Sequence, residues 1–283
     1  MDYVNGDALV TVEWLTEHLN DPSVVILDGT SHLPTTGRDG DAEFLDKHIP
    51  GALRFNIDLV SDKSNPLPHM LPSAEFFGES VGAMGISNKH RIVVYDVYGL
   101  QSAARTWWMF RVFGHSNVAV LHGGLPAWEA AGHSIESGPT QRSSAAFAAV
   151  LNAGLVRSVE DILTNVDSRA ELMMDARAAG RFTGQDPEPR AGMRSGHIPG
   201  SLSLPFTQLL NPDRTFLPAD ALNALLDDTG GDFSKPLVAS CGSGVTACVI
   251  ALAFHLVGRG EVAVYDGSWA EWGARQDTPI ESG

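Results

Sequence analysis

Cysteine is scarce in this 283-residue chain, which carries only Cys241 and Cys248. Two thiols cannot build the disulfide framework of a small secreted domain, and no spaced His or Cys companions stand near them to complete a metal site. Along a loop and a helix, seven positions put them about 10 Å apart at ~1.5 Å rise per residue, beyond disulfide reach. Basic residues are also few: 19 Lys and Arg face 34 Asp and Glu, for a net charge of −15. That field repels nucleic acid and anionic membrane, so neither is an expected partner. An anionic small molecule would need its own local arginines. No apolar run reaches membrane-spanning length, and Met1 to Asp7 lacks the basic and apolar segments of a secretory signal. The expected setting is the cytoplasm.

What is present is a globular composition, 43% apolar and 19% charged, organised by a repeat. His48-Ile49-Pro50-Gly51 recurs as His197-Ile198-Pro199-Gly200, and the segment Arg91 to Trp128 recurs from Lys235 to Trp272. Each half reads as a strand ending in an acid (Ile26-Leu27-Asp28; Met173-Met174-Asp175), the His-Ile-Pro-Gly motif, a helix, a buried strand, a loop, a helix and a further short strand. Strands alternating with helices predict parallel sheets with helices on both faces, hence an α/β chain of two domains. The expected boundaries are 1–136 and 155–283, joined by a linker at 137–154 that is polar and small at first and then Ala-rich. The offset between copies falls from 149 at the His-Ile-Pro-Gly motifs to 144 at the tryptophans. About five extra residues therefore lie in the first half, in the stretch holding Asn56-Ile57-Asp58 and Pro68-His69-Met70-Leu71-Pro72, a candidate functional loop.

The halves differ at one decisive position. Cys241 aligns with Val97, and the first half holds no sulfhydryl at all. Cys241 opens Cys-Gly-Ser-Gly-Val-Thr between the apolar run Pro236 to Ala239 and an apolar helical stretch, Val249 to Val257. A strand running into a glycine-bearing loop and then a helix leaves the first loop residue ringed by unpaired backbone N–H groups. Such groups favour an anion, so the sulfur is expected to be a thiolate nucleophile near neutral pH without a neighbouring base. The competing reading is a small buried cysteine at a strand end. Cys248 reads as helix core. Trp107-Trp108 reads as helix packing against the sheet, and the motif histidines as structural, so no metal and no organic cofactor are expected.

Two α/β repeats, His-Ile-Pro-Gly in each, Cys241 to Cys248, Trp107-Trp108-Met109-Phe110-Arg111 and Leu121-His122-Gly123-Gly124 together resemble the tandem-domain rhodanese family, over essentially the whole chain. The resemblance implies two rhodanese-like domains, the second catalytic. Within the family, the loop is similar to that of the branch acting on 3-mercaptopyruvate. The thiosulfate enzymes carry basic residues at the two positions after the cysteine, where this chain has Gly242 and Ser243. The contrast is physically sensible: a compact dianion welcomes cations beside the sulfur, whereas mercaptopyruvate presents a thiol and a distant carboxylate.

The resemblance further implies that Arg181 and Arg190 clamp the substrate carboxylate, with Gly242, Gly244, Val245 and Thr246 forming the substrate-binding loop around Cys241. The planar fork of arginine suits a carboxylate. Solvent-exposed or salt-bridged arginines are the alternative, and Arg177 and Arg194 are lesser candidates. It also implies a proton relay of Ser243, His69 and Asp58 spanning the halves, against which stands a loop histidine bonded to backbone. Thr246 is expected to brace the loop or cap the helix. The implied activity moves sulfur from 3-mercaptopyruvate through a Cys241 persulfide to a thiol acceptor, a thioredoxin-like protein or small thiol, or to cyanide. A thiosulfate:cyanide sulfurtransferase and a persulfide carrier or scaffold loaded by another protein are the rivals. A Cys-based phosphatase would need an arginine where the chain has Ala247.

Overall fold

The computed structural model describes residues 2–283. Ten strands form two sheets of five. The first sheet comprises β1 (Leu9–Val10), β2 (Val24–Asp28), β3 (Leu53–Arg54), β4 (Arg91–Tyr95) and β5 (Val118–Leu121), in the order β1-β5-β4-β2-β3. The second comprises β6 (Val156–Arg157), β7 (Leu172–Asp175), β8 (Leu202–Ser203), β9 (Leu237–Ser240) and β10 (Val262–Tyr265), in the order β6-β10-β9-β7-β8. Every strand pair is parallel. Strands β2 and β9 are buried along their whole length, which is why they read as unbroken Val/Ile/Leu/Ala runs rather than alternating ones. The two-residue edge strands lie below what sequence periodicity resolves.

In the second sheet the chain lays β8 beside β7 and then crosses back to place β9 on β7's other side. Strand order therefore reverses between β7 and β9, and the crevice beyond their carboxyl ends is where open α/β sheets bind ligands. Cys241 is the first residue past β9, and Ala176 the first past β7.

Among the described residues, the largest of three apolar clusters is shared by the two halves, and each half keeps a smaller one of its own. The helix Ala103–Val112 and the helix Ala247–Leu256 belong to a single buried cluster that runs from Val25 and Leu27 through Trp107 and Trp108 to Val249 and Leu252. Trp107 stacks at a tilt on His255 of the other half, with 5.5 Å between ring centroids. The tryptophan pair thus seals the junction between halves as well as packing within its own.

Residues 138–152 run over the first half and are tied to it: Ala145 N–H donates to Gly82 O (2.8 Å), Val150 N–H to Phe113 O (3.1 Å) and Asn152 N–H to Val112 O (2.7 Å). Gly78 and Gly82 permit this approach, since a Cβ at either would lie 2.8 Å from Phe147 O or 2.6 Å from Ala145 O. The motif histidines are structural elements here. Nδ1 of His48 and of His197 lies 2.7 and 2.9 Å from the carbonyls of Phe44 and Phe182, and each ring stacks on that phenylalanine.

Candidate active site

Strand β9 delivers Cys241 to the floor of a cavity of about 260 Å³ in the seam between halves. Its walls include Ser31, His32 and His69 from the first half and Arg181, Arg190 and Ser243 from the second. Cys241 is only 2% exposed and belongs to the buried apolar cluster, and it also lines this cavity. A larger cavity of about 500 Å³, under the 138–152 segment near Phe44 and Met84, contains no nucleophile, so size alone does not pick the site.

The loop after Cys241 is held from behind. Ser268 Oγ accepts hydrogen bonds from Cys241 N–H (3.2 Å) and Gly244 N–H (3.0 Å) and donates to Tyr265 O (2.8 Å). Trp269 N–H and Ala270 N–H donate to the carbonyls of Cys241 and Gly242 at 3.0 and 2.8 Å. Two of the loop's amides, those of Cys241 and Gly244, are therefore turned to Ser268. Among the described residues, the N–H groups of Gly242, Ser243, Val245 and Thr246 have no protein acceptor, and these four residues line the cavity. Gly244 does not line it: a Cβ there would press on Asp266 O at 2.8 Å and on Arg105 Nη1 at 3.0 Å, behind the loop. Thr246 occupies the N-cap position of the following helix, but its side chain makes no capping bond, so the second of its two expected roles is not filled. Cys248, one turn on, is fully buried and its Sγ–H meets Gly244 O at 3.3 Å. Burial pushes that thiol well above its ordinary value.

Both expected arginines reach the loop. A Cβ on Gly242 would lie 3.2 Å from Arg181 Nη2 and 3.9 Å from Arg190 Nη1. Their electrostatic states differ. Glu188, whose side chain is 4% exposed, accepts from Arg181 Nη2 at 2.5 Å and from Arg177 Nη1 at 2.8 Å. Arg177 is further committed to Asp175 at 2.6 Å and lies over the Trp269 ring at 4.1 Å, so it is a structural group. Arg194 is likewise bound to the carbonyls of Trp272, Gly273 and Thr278. Arg190 instead donates to Ser243 Oγ (3.3 Å), with no carboxylate in hydrogen-bond contact, and burial lowers its pKa from the ordinary arginine value. Among the described residues lining the cavity, it is the arginine with no carboxylate partner.

The relay is half assembled. His69 Nδ1 stands 2.6 Å from Asp58 Oδ1, which orients the ring and holds the Asp58 carboxyl below its ordinary value. His69 itself adopts left-handed backbone, φ 62°. It shares the cavity with Ser243, but the Ser243 hydroxyl is bonded to Arg190 and makes no hydrogen bond to His69. Sequence reasoning missed Glu188, Ser268, Arg105 and Asp266. Glu188 stood in the Glu-Pro-Arg triplet and could have been read as a partner for the arginines; the other three gave no local signal.

Two all-parallel α/β repeats, with a cysteine opening the strand-to-helix loop of the second, define the chain as a tandem α/β thiol protein with its cleft at the repeat junction. The rhodanese-like domain family model matches residues 11–131 and 158–275, and the chain belongs to that family. It is 46% identical over 271 residues to the 3-mercaptopyruvate sulfurtransferase of Rattus norvegicus, covering 94% of this chain and 91% of that protein. It is 45% identical over 272 residues to the thiosulfate sulfurtransferase of the same species, with 94% and 91% covered. The crystal structure of the 3-mercaptopyruvate sulfotransferase SseA from Escherichia coli superposes with a TM-score of 0.85 at 38% identity, over 93% of this chain and 99% of that one. Overall identity thus leaves the two sulfur donors level, and the loop must discriminate between them.

Proposed function

We propose that this chain is a sulfurtransferase that takes the sulfur of 3-mercaptopyruvate onto Cys241 and passes it to a second nucleophile. The Cys241 thiolate attacks the substrate sulfur, the carbon–sulfur bond breaks with its electron pair going to the methylene carbon, and the substrate's thiol proton is delivered to that carbon. Pyruvate leaves, and Cys241 carries a persulfide. A thiol acceptor, such as a thioredoxin-like protein or small thiol, or cyanide then attacks the outer sulfur and restores the thiolate. Splitting the transfer in two lowers each barrier. Arg190 pairs the substrate carboxylate, and Arg181, fixed by Glu188, offers its remaining N–H groups. His69, oriented by Asp58, moves the proton by way of Ser243. The free amides of residues 242, 243, 245 and 246 stabilise the persulfide anion.

The observation that carries the donor choice is the contact at Gly242. The residue after the cysteine has no side chain, and a Cβ there would lie 3.2 Å from Arg181 Nη2, so a basic side chain of the thiosulfate type would crowd the guanidinium that Glu188 holds in place. The pocket then holds one uncommitted cation, suited to a monocarboxylate. Among the described residues no helix is long and apolar enough to cross a membrane, and both cysteines are free; we place the reaction in the cytoplasm.

Incubation with 3-mercaptopyruvate alone, followed by mass spectrometry, should add one sulfur at Cys241 and none to Cys241→Ser. An unmodified Cys241 would leave a carrier loaded by another protein. A higher kcat/KM on thiosulfate than on mercaptopyruvate would reverse the donor.

A further inference from the structure

The two sides of the active-site seam meet at one buried guanidinium. Arg105 sits on the helix Ala103–Val112 of the first half and is 0% exposed. Its Nη1 donates to Gly244 O (3.2 Å) in the cysteine loop, and its Nη2 donates to His69 O (2.6 Å). Nη2 also lies 2.7 Å from Asp266 Oδ1, while Asp266 Oδ2 accepts Leu71 N–H at 2.8 Å. The guanidinium rests on the Trp108 ring, 4.6 Å from its centroid. Both carbonyls it holds belong to left-handed residues, Gly244 at φ 72° and His69 at φ 62°. For histidine that conformation is sparsely populated and persists only where the surroundings enforce it.

We propose that Arg105, paired with Asp266, is a positioning residue for the transfer: it fixes the distance between the Cys241 loop and the His69 ring across the seam. It touches no substrate. It acts by clamping the backbone of His69, whose ring moves the proton, and of Gly244, which follows Ser243 in the loop that Cys241 opens, and its Asp266 partner fixes the other end of the His69 loop through Leu71. Lysine at this site would retain the charge but has no planar fork with which to hold two carbonyls and a carboxylate at once. This inference rests on the sulfurtransferase reading for its substrate but not for its geometry.

The test uses the full chain with Arg105→Lys and with the charge-neutral pair Arg105→Met/Asp266→Asn, which leaves no buried charge unpaired. Both should melt cooperatively. Each should lower kcat on mercaptopyruvate by about 100-fold while KM moves less than about 3-fold, because misplacement of reacting groups is felt in the chemical step. Adding Arg105→Lys to His69→Ala should cost much less than it does alone, as expected of groups that act as a unit. Iodoacetamide labelling of Cys241 at one fixed pH should slow by about 10-fold in Arg105→Lys, a readout that needs no assumed donor. Wild-type kcat in both variants, or full additivity with His69→Ala, would overturn the proposal. Failure of the unaltered chain to turn over mercaptopyruvate, with labelling still slowed in Arg105→Lys, would sink the donor reading and leave the clamp standing.

Discussion

Nη2 of Arg190 lies 3.3 Å from Oγ of Ser243, and this contact, not one to His69, orients the hydroxyl two residues after the nucleophile. In the proposed mechanism the same guanidinium binds the substrate, so carboxylate binding and hydroxyl orientation would be linked through one side chain. Drawing Arg190 to the carboxylate would then release Ser243 toward the imidazole.

Arg190→Met should therefore raise KM for mercaptopyruvate by about 10- to 100-fold, the worth of a charge-assisted hydrogen bond. Arg181→Met should raise it less, because Glu188 already occupies one edge of that guanidinium. Steady-state kinetics of the two variants decide the order. A larger effect at Arg181 would mean that Glu188 yields it to the substrate.

Asp58→Asn should lower kcat by about 100-fold, the contribution of an oriented general acid–base group. The Asp58 carboxyl is held below its ordinary 3.8 by the His69 hydrogen bond. Its interaction is thus present above that pH and is lost only as pH falls through the lowered value. The deficit of the variant should be constant across the neutral range in a kcat–pH profile. A deficit that appears only above neutrality would assign the effect to another group.

Removing Oγ in Ser268→Ala strips the acceptor from Cys241 N–H and Gly244 N–H, both buried. Unpaired buried donors cost about 1–3 kcal/mol, so the melting temperature should fall and the loop should loosen with it. Thermal unfolding and persulfide yield measured together test this. Unchanged stability with full loading would show that the loop holds itself.

Glu261 joins the halves by accepting from Arg111 Nη2 at 2.6 Å, and its Oε1 lies 3.1 Å from His255 Nδ1. Its carboxyl falls from 4.5 to about 2, chiefly through the His255 hydrogen bond and with Arg111 assisting. The folded value is depressed, so the stabilisation is complete above 4.5 and drains away as pH falls toward 2. Because Glu261 remains 48% exposed, solvent screening limits the gain to about 1 kcal/mol or less. Glu261→Gln should lower the melting temperature at neutral pH, and the gap should close on acidification. A gap that widens in acid would contradict the pairing.

The repeat, the central strands and the cysteine loop were legible because each is written in contiguous residues: an apolar strand, Gly-rich turn and apolar helix need no partner to be recognised. His69 and Asp58 came with the family resemblance, which fell on a stretch that the shorter second copy lacks. Arg105 was hidden inside a helix whose tryptophans advertised packing, and nothing local distinguishes an arginine aimed at another domain from one aimed at water. Ser268 was invisible for a similar reason: its left-handed backbone and two acceptor contacts exist only once β10 lies beside β9. The brace behind the cysteine loop was equally out of view, and it takes up two of the loop's backbone donors.

The largest apolar cluster runs through both repeats, with the helices that follow β4 and β9 pressed together along it. Either half expressed alone would present a bare oily face and should precipitate or self-associate. Joined across such an interface, the halves are expected to move as one body, and limited proteolysis of the whole chain should release neither of them as a stable fragment.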